Sequence, residues 1–229
     1  MARTQQSVLL ASQRMRIAYL LAAVGGYMDA YTYFMRGGVF ANAQTGNIVK
    51  LAIALADGKR DAYLGYLLPI VAFSIGLITA RAIDSILERR GIRFVRRMVL
   101  LVEAAALVVV GLIPIGEEWN TLANCIVSFV ASLQYESFTT FRGDAIVTTM
   151  STGNLRKMVD ALYVGATEKN RGELARAGRY FSIILTFAFG AYVGAWCCDV
   201  MVKTAVLPAV AALLLAILII TMLRRHILK

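Results

Sequence analysis

Asp29, Glu136 and two copies of the tripeptide Thr-Gly-Asn are the residues of this chain whose types and spacing could do chemistry. Thr45-Gly46-Asn47 and Thr152-Gly153-Asn154 are offset by 107 residues, and the same offset sets Asp29 on Glu136, Tyr31 on Phe138 and Phe34 on Phe141. Arg36-Gly37 answers to Arg142-Gly143 after a slip of one residue. A carboxylate, an aromatic, an Arg-Gly break and a TGN recurring in one order read as an internal duplication. Each copy sets these polar groups inside apolar sequence. An ionisable side chain in a membrane span is costly unless paired, protonated or solvated, so Asp29 and Glu136 are candidates for proton coupling or for attracting a cation. They could equally accept hydrogen bonds from helix N-termini or pair with Arg36 and Arg142.

The candidate solute-binding set is Gln44, Thr45, Gly46 and Asn47, then Ser151, Thr152, Gly153 and Asn154, with Tyr31 beside them. Thr45 suits the cap of a helix from Gly46 to about Asp57, roughly 18 Å long, and Ser151 or Thr152 suits the cap of its counterpart, up to residue 165. A helix N-terminus leaves amides without intrahelical partners and carries about half a positive charge. Lipid cannot satisfy such groups, so a break at membrane depth must be buried in protein or face a watery cavity. Asn47 and Asn154 are placed to hydrogen-bond a solute or the opposing loop, and Gly46 and Gly153 permit close backbone approach. The competing reading is structural: the tripeptides cap helices and pin the two copies together.

Composition says what surrounds these groups. A chain of 229 residues, 59% hydrophobic, with mean hydropathy +0.67, is a polytopic α-helical membrane protein by class. Six windows are long enough to span: Ile17–Met35, Tyr63–Ala80, Met98–Pro114, Leu122–Phe138, Tyr180–Cys198 and Ala205–Met222. Ile48–Ala56 and Leu155–Val164, each directly after a TGN, are too short. The start of the chain lacks a signal-peptide pattern, so its first apolar run is expected to be retained as a span.

The net charge of +10 has its source in loops rather than in nucleic-acid binding. If both TGN segments dip in and return, 19 of the 24 Lys and Arg residues fall on the cytoplasmic side, including Arg3, Arg142 and the Arg81–Arg97 loop. Full crossings would export that six-arginine loop. The expectation is six spans with both termini cytoplasmic, and an amphipathic Arg81–Arg97 stretch on anionic lipid. Three spans per copy is an odd number, so the second copy must be inverted. The first repeat is then 1–115 with half-helix 45–57, and the second 116–229 with half-helix 152–165. Gly76 falls on Gly190 at an offset of 114, which supports the pairing. Water channels use a similar arrangement with another tripeptide, an analogy of architecture only.

Glu103 has no counterpart in the other copy and is expected to make an interfacial salt bridge to the arginine loop. Cys125, Cys197 and Cys198 lie in apolar runs without ligand spacing, and His226 is the sole histidine. No metal, cofactor or disulfide is expected.

GYMDAYTYF, RGGVFANAQTGN and VTTMSTGNLRK resemble the YoaK-like family of bacterial inner-membrane proteins, over nearly the whole chain. That resemblance implies a bacterial plasma-membrane protein of about this size and leaves the substrate open. The residues themselves favour a small transporter or channel for a polar solute or ion, with membrane lipid as its other partner. The alternatives are an intramembrane enzyme acting on lipid or quinone, which lacks a nucleophile–base pair here, and a non-transporting scaffold or sensor. Six short spans often enclose a cavity only with a second copy, so a homo-oligomer stays open.

Overall fold

The computed structural model describes residues 14–58, 60–89 and 95–228. Arg3, Lys59, Arg90, Arg93 and Lys229, which enter the charge count above, lie outside them. Among the described residues there are eight α-helices: α1 Met15–Met35, α2 Gln44–Ala56, α3 Arg60–Arg89, α4 Val95–Leu112, α5 Glu117–Ser137, α6 Thr152–Thr167, α7 Arg171–Met201 and α8 Leu207–Leu228. A 3-10 turn, Val202–Thr204, joins the last two, and a two-stranded hairpin, β1 Thr140–Phe141 and β2 Asp144–Ala145, follows α5. The body of each apolar window is one helix, and each TGN opens a shorter one.

Local sequence explains where the helices stop. After α1 the chain turns through Gly37 and Gly38, at φ 79° and 74°. After α5 it turns through Arg142 and Gly143, at φ 51° and 84°, which are the two central residues of the hairpin. Two successive left-handed residues match the twist of a two-residue hairpin, and glycine adopts them without a Cβ penalty. Downstream, the Asn170 side chain caps α7 by accepting from the amides of Gly172 (2.9 Å) and Glu173 (3.3 Å).

The helices pack in pairs that exchange into one another. α1 lies along α7 and α5 along α3; α2 rests on α3 and α6 on α7; α4 packs on α5 and α8 on α1; α4 and α8 meet each other. Swapping α1 with α5, α2 with α6, α3 with α7 and α4 with α8 returns the same set. Equivalent glycines make the two main crossings close. A Cβ on Gly76 would stand 2.6 Å from the Phe129 carbonyl oxygen, and one on Gly190 2.1 Å from that of Ala23. Small residues at helix crossings let backbones approach in this way.

Each short helix returns to the end of the bundle its break came from. Gly37, before α2, and Gly65 and Tyr66, after it, line one cleft of about 420 Å³ together with Arg36, Glu117 and Asn120. At the opposite end, Asp144, before α6, binds Arg176 and Arg179 of α7, after it. Among the described residues two helical stretches, Tyr63–Ile86 and Arg171–Thr204, are long and apolar enough to cross a membrane, with mean hydropathies of 1.8 and 1.7. They carry exposed apolar side chains such as Ile78, Phe189 and Trp196. α1 and α5 instead turn polar groups inward: Asp29, Thr32, Ser128 and Gln134 are buried. Polar side chains lower the mean hydropathy of these helices without facing the surroundings.

Candidate functional site

The repeated tripeptide is the core of a larger local unit. Asn47 is fully buried; its Oδ1 accepts from the Phe40 amide at 3.0 Å and its Nδ2 donates to the Phe40 carbonyl at 2.7 Å. Asn154 does the same to Val147, at 3.1 and 2.5 Å. Phe40 and Val147 are again 107 residues apart. Lys50 donates to the Gly38 carbonyl, and Lys157, at the same offset, donates to that of Ala145 at 2.6 Å. The motif is therefore TGN-x-x-K, folding back on the seven residues before its asparagine. Both lysines were visible in the aligned sequence as identities, and the sequence reading passed over them.

These bonds reassign several candidates. The Asn47 and Asn154 side chains hold their own loops with donor and acceptor alike. α2 begins at Gln44, one residue before Thr45, with no side-chain cap; Ser151 stands at the cap position of α6, also without a side-chain bond. Thr45, Thr152 and Gly153 are exposed, and a Cβ on Gly153 would meet nothing. Gly46 differs, since a Cβ there would lie 2.9 Å from the Phe40 ring.

The loops converge at the middle of α1 and α5. Asn42 Nδ2 donates to the Gly25 carbonyl at 2.8 Å, and a Cβ on Gly25 would stand 2.7 Å from the Thr148 carbonyl oxygen. Gly25 is the midpoint of α1, so parts of both breaks meet there. Gln44 donates to the Ala41 carbonyl at 2.7 Å, reaches Ser128 Oγ on α5 at 3.4 Å and accepts from Asn47 at 2.9 Å.

Two buried carboxyls stand at this centre. Asp29 Oδ1 accepts from the Asn42 amide at 2.9 Å, while Thr32 Oγ1 takes the Ala41 amide at 3.3 Å. Glu103, 4% exposed on α4, faces the Gln134 amide at 2.8 and 3.1 Å, and Gln134 reaches Thr148 Oγ1 at 3.3 Å. Among the described residues neither Asp29 nor Glu103 has an ion-pair partner. The expected salt bridge of Glu103 to the arginine loop is thus replaced by a contact with Gln134 of α5, which in turn reaches the second break. The reason is geometric: α4 packs on α5, and that face of α4 turns inward.

Glu136, the sequence equivalent of Asp29, lies at the C-terminal end of α5, away from the centre, and pairs with Arg81 in the C-terminal third of α3 at 3.1 Å. Arg36 does not pair with Asp29. It is 1% exposed and donates to the carbonyls of Val110 (2.8 Å), Ile113 (3.0 Å) and Pro114 (2.7 Å), closing the C-terminus of α4, where a cation suits the helix dipole. Tyr31 accepts from Arg36 Nε and Nη2 at 3.2 and 3.1 Å, which ties it to that cap. Arg142 is exposed at the hairpin tip.

The arrangement defines an all-α protein in which two interrupted helical segments meet at a buried, acidic polar centre. The chain belongs to the family described as "Protein of unknown function (DUF1275)", whose sequence model matches residues 17–220. The resemblance to YoaK-like proteins is consistent with that membership. No curated protein and no solved structure matches the chain.

Proposed function

We propose that this protein is a small multi-pass membrane transporter or channel for a polar solute or ion, with its path through the centre where the two breaks meet. The observation that carries the reading is the pair Asp29 and Glu103, two buried carboxyls with no ion-pair partner among the described residues: Asp29 is bonded to the first break and Glu103 is linked to the second through Gln134. Ionisable groups at such depth mark ion, proton or substrate pathways by default. Two inverted repeats of three spans each supply the frame. The exchangeable helix pairs support it, as do the short helices returning to opposite ends. The resemblance to YoaK-like proteins implies a bacterial plasma membrane, and the basic loops favour termini on its cytoplasmic side.

The Asn42 bond to Asp29 and the Gln134 bond to Glu103 leave carboxyl oxygens as the groups able to meet cargo. That favours a cation or a hydrogen-bond donor over an anion.

Uptake of a panel of small cations, amines and neutral polar solutes into proteoliposomes tests the proposal. Asp29→Asn keeps the acceptor for the Asn42 amide and removes the charge, so it is expected to fold and to lose flux at least tenfold. Unaltered flux of every solute carried would remove Asp29 from the path.

A further inference from the structure

The geometry points to Glu103 as a proton-binding residue whose charge state is passed by Gln134 to the second break. This deepens the transport reading by naming the coupled ion, and it rests on that reading only for what the proton is coupled to.

Gln134 is buried between Glu103 and Thr148, and which way its amide turns is set by whether Glu103 accepts or donates. With nitrogen toward Glu103, it donates to Oε2 at 2.8 Å and Oε1 at 3.1 Å, and its oxygen accepts from Thr148 Oγ1 at 3.3 Å. A carboxylate accepts only, so this is the arrangement for ionised Glu103. Turned over, the amide would donate from its nitrogen to Thr148 Oγ1 at 3.3 Å and set its oxygen toward the carboxyl. That contact is favourable when Glu103 carries a proton and donates it as an O–H. One proton added to Glu103 from water, and returned to water, therefore exchanges donor for acceptor at Thr148. No other reactant is needed.

Thr148 is well placed to report the change. Its carbonyl rests on Gly25, its neighbour Val147 is clamped by Asn154, and the hydroxyl of the next residue, Thr149, is buried with no hydrogen-bond partner. Among the described residues no ion-pair partner of Glu103 competes with the proton. On α4 itself Arg96 and Arg97 lie toward the helix start. On α5 Glu136 is engaged by Arg81. Residues 207–223 of α8 carry no charge, and Asp144 beside the break is held by Arg176 and Arg179. None of these forms an ion pair with Glu103.

The test uses the full chain in lipid vesicles and needs no flux. Infrared difference spectra between low and high pH are expected to show, among the bands of the 14 acidic residues, a protonated-carboxyl component that is missing in Glu103→Gln. Hydrogen exchange of the segment 147–155 is expected to respond to pH in the wild type beyond its response in Glu103→Gln, a comparison in which intrinsic exchange cancels. Gln134→Leu should keep the band and lose the segment's response. A carboxyl region identical in wild type and Glu103→Gln overturns the inference. So does a response that survives Gln134→Leu. A protein that shows band and response yet moves no solute keeps this inference and ends the transport reading.

Discussion

The side chain of Asn42 donates to the carbonyl oxygen of Gly25 at 2.8 Å, and the Thr148 backbone of the other break seats on the same glycine. One residue at the middle of α1 thus registers both interruptions. A bulkier residue there would have to push backbone, because the nearest atoms to an added Cβ are the Thr148 oxygen at 2.7 Å and the Thr149 Cα at 3.2 Å. Gly25→Ala is expected to lower stability by about 1–3 kcal/mol, the usual cost of overpacking. Hydrogen exchange should rise in the second break. Unchanged thermal unfolding in detergent and unchanged exchange would show that the loops do not meet there.

The paired asparagines make a second prediction. Asn47→Ala leaves the Phe40 amide and carbonyl without their partner, and Asn154→Ala does the same to Val147. Each change is expected to cost about 2–4 kcal/mol, from two unmet buried groups. Aspartate in place of either asparagine keeps the acceptor and loses the donor, so it should rescue only part. Equal melting temperatures for wild type and alanine variants would return both side chains to the list of solute ligands.

Much of this unit was legible in the sequence, and particular residues show why the rest was not. The offset of 107 found Asn47 with Asn154 because an identical backbone clamp requires an identical side chain at an identical spacing. It also aligned Asp29 with Glu136, which misled, because alignment carries position and not the direction a helix face turns. Glu136 points to Arg81 at the edge, while the carboxyl at the second break comes from α4. Nothing in the repeat flags Glu103, since the matching stretch of α8 carries no acid. The contact between α4 and α5 is long-range packing that periodicity does not encode. The cap at Thr45 failed for a smaller reason. Gln44 is already helical and its side-chain amide donates to the Ala41 carbonyl and to Ser128 Oγ, and the helix starts two residues sooner than the expected Gly46.

A third prediction concerns the hairpin after α5. Asp144 accepts from Arg179 Nε at 2.7 Å and lies 3.1 Å from Arg176 Nε, fastening the turn to the start of α7. Arg142 stands at the tip with φ 51°, a conformation that costs a non-glycine residue about 1–2 kcal/mol. Asp144→Ala removes the fastening and is expected to speed tryptic cleavage after Arg142 severalfold in inside-out vesicles. No cleavage gain would mean the strand pair holds the turn alone.

The account stands on both tripeptides lying at the same, central depth, reached from opposite faces. Thr45 and Thr152 are exposed, so each tolerates a spin label that reads its surroundings. In lipid vesicles, collision rates with oxygen and with a water-soluble nickel chelate give the depth of each label. The expected result is two matching depths near the bilayer centre. Either label at headgroup depth would contradict the account.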